Sequence, residues 1–80
     1  MRKNISVIAK MDESGLITPL TILWSPSEKF DIEKVVDIRS KASTKGGGIG
    51  LRYTCKIKGQ EKYLWLDEYT WFVEVENLKL

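Results

Sequence analysis

Ile49-Gly50-Leu51-Arg52-Tyr53-Thr54-Cys55-Lys56-Ile57-Lys58 alternates without a fault: every odd position is apolar or aromatic and every even one is polar or glycine. A period of two is that of an extended chain, in which successive side chains point to opposite sides. The stretch therefore reads as a strand with one buried face. Ile49, Leu51, Tyr53, Cys55 and Ile57 are expected inward, and Arg52, Thr54, Lys56 and Lys58 outward.

Downstream, Gly59-Gln60 offers a two-residue reversal opening with glycine at positive φ, and Glu61 to Leu66 reads as the hairpin partner. That partner is apolar on both sides after Lys62, as suits a strand covered on both faces or one curving across a barrel. Asp67-Glu68-Tyr69 makes the next turn. From Thr70 to Glu76 alternation resumes, with Trp71, Val73 and Val75 on one face and Phe72, Glu74 and Glu76 on the other. The second half of the chain is thus expected to be a three-stranded meander.

Upstream, Ile5 to Lys10 reads as a short strand and Asp12-Glu13-Ser14-Gly15 as a turn. Leu16 to Trp24 follows, with Leu20, Ile22 and Trp24 in phase and Pro19 marking an edge or a bulge, because proline brings no donor. Two readings compete for the next segment. Ser25-Pro26-Ser27-Glu28 has the form of a helix capping box, which would put a short helix within residues 26–38 and make the fold α+β. Against it, Phe30, Ile32, Val36 and Ile38 keep even parity, the stretch is β-branched, and no helical stripe continues beyond Val36. Two strands, Lys29 to Ile32 and Val35 to Ala42, are the preferred reading. Lys45-Gly46-Gly47-Gly48 is a loop between strands; no Lys-Ser/Thr pair follows the glycines and no helix starts there, so it lacks the form of a phosphate loop.

The fold expected for residues 1–80 is one all-β domain, an antiparallel, partly closed barrel of five to seven strands. Chains this short bury only ~60% of their unfolded surface, so the eight aromatic residues are needed as large pieces of a single core.

Histidine is absent, which removes the commonest general base and metal ligand. Cys55 is the one cysteine and falls on the inward face, where a thiol acts as apolar filler. Asp12 with Glu13 and Asp67 with Glu68 lie in turns. Glu74 and Glu76 share a strand face and are expected opposite Lys62 or another base. None of these makes an acid/base dyad or an oxygen-rich metal site, so a non-enzymatic domain without cofactor or metal is expected. With no possible internal disulfide, and only a broken apolar run in the first ten residues, a cytoplasmic protein without export signal or membrane span is expected.

Net charge is +2, but Arg39 to Lys62 holds seven basic residues and one acid, while the rest holds six basic residues and ten acids. Arg39, Lys41, Lys45, Arg52, Lys56 and Lys58 are expected to form a basic ridge on one strand face and its loop. Small barrels bind single-stranded nucleic acid by pairing such a ridge with exposed aromatic rings. Tyr53 has the wrong parity for that role; Tyr63, Tyr69 and Phe72 are the rings expected to stay exposed. Solvation and the blunting of sheet edges are the commoner explanation of scattered lysines on strands. The alternative is a protein-interaction adaptor with an aromatic-lined groove of Trp65, Tyr69, Trp71 and Phe72, although Trp65 and Trp71 are also wanted in the core. Buried aromatics beside a basic ridge would favour an acidic protein surface; exposed aromatics beside basic residues would favour nucleic acid.

Ile17-Thr18-Pro19-Leu20 with Ile22 and Trp24, Phe30-x-Ile32, Val35-x-Asp37-x-Arg39, Gly47-Gly48-x-Gly50-x-Arg52-Tyr53-Thr54, Tyr63-Leu64 and Trp71-Phe72-Val73-Glu74 together resemble a family of short uncharacterised proteins of Gram-positive bacteria. The likeness runs over about four-fifths of the chain and rests on hydrophobic and turn positions, with Arg39 and Arg52 as its polar members. It implies a small SH3-like barrel and brings no activity with it. After Trp24 this chain departs from the Asp-Gly turn of the family and has Ser25-Pro26-Ser27.

Overall fold

The computed structural model describes residues 2–42 and 49–75, and the described residues are strands and tight turns. Seven strands follow in order: β1 (Arg2–Met11), β2 (Ile17–Ser25), β3 (Glu28–Asp31), β4 (Lys34–Ala42), β5 (Ile49–Ile57), β6 (Gln60–Asp67) and β7 (Thr70–Glu74). They form one antiparallel sheet in the order β3-β2-β1-β7-β6-β5-β4. The helix considered within residues 26–38 is not formed: Ser25 pairs with Glu28 around a Pro26-Ser27 turn, and β3 and β4 occupy the segment. None of the described residues forms a helix long and apolar enough to cross a membrane.

β3 and β4, consecutive in sequence, lie at opposite ends of the strand order. Only Ile32 and Glu33 separate them, so the sheet must curl until its two ends approach. The link itself shows the curl. Ile32 N–H donates to the Leu20 carbonyl at 2.9 Å, and Glu33 N–H to the Lys56 carbonyl at 2.8 Å, joining β2 near one end to β5 near the other. The result is a half-barrel whose inner side collects Ile22, Phe30, Tyr53, Cys55, Ile57, Leu64, Leu66 and Val73. Each large apolar side chain fully buried there contributes ~1.5–3 kcal/mol.

Parity follows the expected pattern through most of the meander. Tyr53, Cys55 and Ile57 are fully buried, while Leu51, expected inward, is 37% exposed. The β5–β6 reversal sits one residue earlier than expected: Lys58 and Gly59 form the turn, with φ of 51° and 76°, and Gln60 already belongs to β6. Leu64, Trp65 and Leu66 are all buried, so β6 is covered on both faces. Pro19 lies at a bulge, since Ile8 pairs with Thr21 and Ala9 with Pro19, leaving Leu20 as the extra residue of β2. β1 is longer than expected and serves two neighbours, β7 through Arg2 to Ile5 and β2 through Ser6 to Met11.

Candidate nucleic-acid interface

Register places the outward side chains of the meander in rows across the strands. Arg39 lies opposite Arg52, Arg52 opposite Trp65, Trp65 opposite Phe72, and Phe72 opposite Asn4. One step along, Asp37 faces Thr54 and Thr54 faces Tyr63; one further, Lys34 faces Lys56 and Lys56 faces Glu61. Adjacent strands are ~4.8 Å apart and same-face neighbours along a strand ~7 Å apart, so these rows make one surface.

Of the six residues expected in the ridge, Arg39, Arg52 and Lys56 share this outer face. Lys41 continues the register opposite Gly50. Lys58 does not extend the row: its left-handed backbone turns it away, and its Nζ lies 4.8 Å from the centre of the Phe30 ring. Lys45 lies outside the described residues. Lys34 joins the face although sequence reasoning missed it. As the first residue of β4 it stands before the run whose parity was legible, and only its register opposite Lys56 brings it in.

The aromatic partner of the ridge is Tyr63. The Arg52 guanidinium lies over its ring, 4.2 Å from the centroid, and the residue is 39% exposed. Tyr53 and Arg52 do have opposite parity, and hairpin pairing supplies a different tyrosine from β6. Arg39 is exposed and its Nε donates to Asp37 Oδ2 at 2.9 Å, which holds the guanidinium against its own strand. Among the described residues, Arg52 Nε and Trp65 Nε1 are buried donors without a partner. An unpaired buried donor costs ~1–3 kcal/mol, so both weigh against the stability of this face.

Phe72 was expected to stay exposed and is 1% exposed. Its ring stacks on Trp65 at 5.8 Å with planes 9° apart, and the Arg2 guanidinium covers it at 3.9 Å. Arg2 also donates through Nε to Asn4 Oδ1 at 2.9 Å and approaches Asp67 Oδ2 at 3.8 Å, so it ties three strands over this ring. Glu74, expected opposite Lys62 or another base, pairs in register with Arg2. Glu76 lies outside the described residues.

The four aromatics of the adaptor reading do not share a surface. Trp65 and Phe72 stack on the outer side, Trp71 faces the interior 5.3 Å from Tyr53, and Tyr69 stands 96% exposed in the β6–β7 turn. A shallow cavity of about 450 Å³ does exist, but elsewhere, lined by Asn4, Ile5, Ser6, Leu23, Trp24, Ser25 and Pro26, where β1 leaves β2 for β7.

Cys55 is fully enclosed, and burial pushes its thiol up to about 12. Its Sγ–H points at the Tyr53 carbonyl, 3.9 Å away, so it is protonated filler on the core side of the strand. In comparisons with known proteins, no family model matches the chain, and no match is found among curated proteins or solved structures.

Proposed function

We propose that the outer face of β4, β5 and β6 binds single-stranded nucleic acid. Arg39, Lys56 and Lys34 meet phosphates, and a base stacks against the Arg52–Tyr63 pair. One observation carries the reading: a partly exposed aromatic ring lies under an arginine on the same face as exposed basic residues. Bases stack on guanidinium planes as well as on rings, so the pair serves as a platform even with one face of Tyr63 occupied. In this reading the half-barrel is a form of the SH3-like barrel, in keeping with the family the sequence resembles. The protein works in the cytoplasm, where its one thiol remains reduced.

The test is fluorescence anisotropy of a labelled single-stranded oligonucleotide across a salt series. Three to four phosphate contacts give a slope of log K against log salt of about −2 to −3. No binding at low salt, or a flat salt dependence, rejects the reading.

A further inference from the structure

We propose that β4 is an interface between two copies of this chain, paired antiparallel about a two-fold axis at Ile38. β4 has nine residues and, among the described strands, a single neighbour, β5. Among the described residues, no backbone hydrogen bond outside the β4–β5 ladder involves it. Its far side therefore presents a row of donors and acceptors that no other described strand takes up. Val36 and Ile38 stand on this edge 45% and 37% exposed. The opposite edge, β3, has only four residues and follows the Pro26-Ser27 turn, which is how edges are made unattractive. A long edge with exposed apolar residues instead invites a further strand.

The sequence of the edge selects its own copy. About Ile38, antiparallel pairing sets Ile38 against Ile38, Val36 against Ser40, and Asp37 against Arg39 at two symmetric places. Moving the axis by one residue puts Asp37 against Asp37 or Arg39 against Arg39. Like charges directly opposite are destabilising, so charge alone separates these registers. Arg39 uses Nε on its own Asp37, and a guanidinium has five donors, so it can also hold the second carboxylate. The four groups would then alternate in sign around the axis on the outer face. The bulge between Val35 and Asp37 limits regular pairing to a short stretch, which makes the association weak and dependent on concentration. This inference does not rest on the nucleic-acid reading, and its readout is mass.

The experiment is sedimentation equilibrium of the full chain up to about 1 mM, the range that captures a weak dimer. A reversible dimer is expected. Arg39→Asp sets acid against acid and weakens it at least tenfold, and the swap Asp37→Arg with Arg39→Asp restores it. Both side chains lie on the outer face, and unchanged far-UV circular dichroism shows that the variants fold. Ile38→Cys provides a second readout. Facing residues in antiparallel strands have Cα atoms ~4.5–5.5 Å apart, within disulfide range, so oxidation should yield a covalent dimer while the enclosed Cys55 stays out of reaction. A monomer throughout the range, or a dimer indifferent to Arg39→Asp and not trapped by Ile38→Cys, overturns the proposal.

Discussion

The hydroxyl of Tyr53 donates a 2.6 Å hydrogen bond to the carbonyl of Ile17, joining β5 to β2 across the interior of the half-barrel. The two residues are 36 positions apart in the chain and three strands lie between theirs in the sheet. This is the polar counterpart of the apolar cluster: a large side chain fills the space while its one polar atom meets a carbonyl that no strand pairing on that side satisfies. Tyr53→Phe keeps the volume and leaves the Ile17 carbonyl without this donor. It is expected to lower stability by ~1–3 kcal/mol, read from urea melts as a lower midpoint at unchanged slope.

Cys55 and Tyr53 also set the response to alkali. Burial raises both acids above their ordinary values, the thiol to about 12 and the phenol further by its closeness to Cys55. The folded state then holds protons that the unfolded chain has released, so stability is full below about pH 9 and falls as pH rises toward 12. For the thiol the slope is about 1.4 kcal/mol per pH unit. Melting temperatures from pH 8 to 11 should therefore decline, and Cys55→Val should flatten the first part of that decline. A profile identical in the variant would show that the thiol is not the group responsible.

Gly50 sits where a side chain has no room. A Cβ there would collide with the Leu66 carbonyl and come within 3.1 Å of Asp67 Cα. Both are backbone atoms of the paired strand and cannot swing aside, so Gly50→Ala must push β5 and β6 apart. The expected loss is ~1–3 kcal/mol, measured by thermal denaturation. Gly59→Ala, with open space around it but φ of 76°, should be costly for the different reason of backbone strain.

Glu68 adopts φ of 56° in the β6–β7 turn, a conformation that costs a residue with a Cβ ~1–2 kcal/mol. Glu68→Gly should recover about 1 kcal/mol of it and raise the melting temperature by ~4–8 °C for a domain of this size. A melting temperature that stays the same or falls would mean that the turn is not strained by its side chain.

In oligonucleotide binding, Tyr63→Ala and Lys56→Ala should fail in different ways. Loss of the stacking platform lowers affinity ~10–100-fold at every salt concentration with little change of slope. Loss of a phosphate contact makes the salt slope shallower by ~0.7. Identical behaviour of the two variants would remove the stacking role given to Tyr63.

The two-strand reading of residues 26–38 holds because alternation through Phe30 and Ile32 outweighs a local capping pattern. Ser25 and Glu28 resemble a box in sequence, and in the fold they close a hairpin. The misplaced β5–β6 turn has an equally local cause. Glycine is the residue that most readily takes positive φ, which points to Gly59-Gln60, whereas in the fold Lys58 takes φ of 51° and the reversal starts there. The burial of Phe72 has a non-local cause. Its parity is outward, as expected, but outward does not mean exposed once Trp65 and Arg2 lie against it.

What the sequence determined by itself is the facing of side chains: a period of two is a property of consecutive residues, and it separated Tyr53, Cys55 and Ile57 from Arg52 and Lys56 with no knowledge of neighbours. Which strand lies beside which was decided only by the tertiary structure, and with it the meeting of Arg52 with Tyr63 and of Tyr53 with Ile17. Those contacts depend on register and on the curl of the sheet. Both come from pairing between residues far apart in the chain, and alternation within one strand carries no record of them.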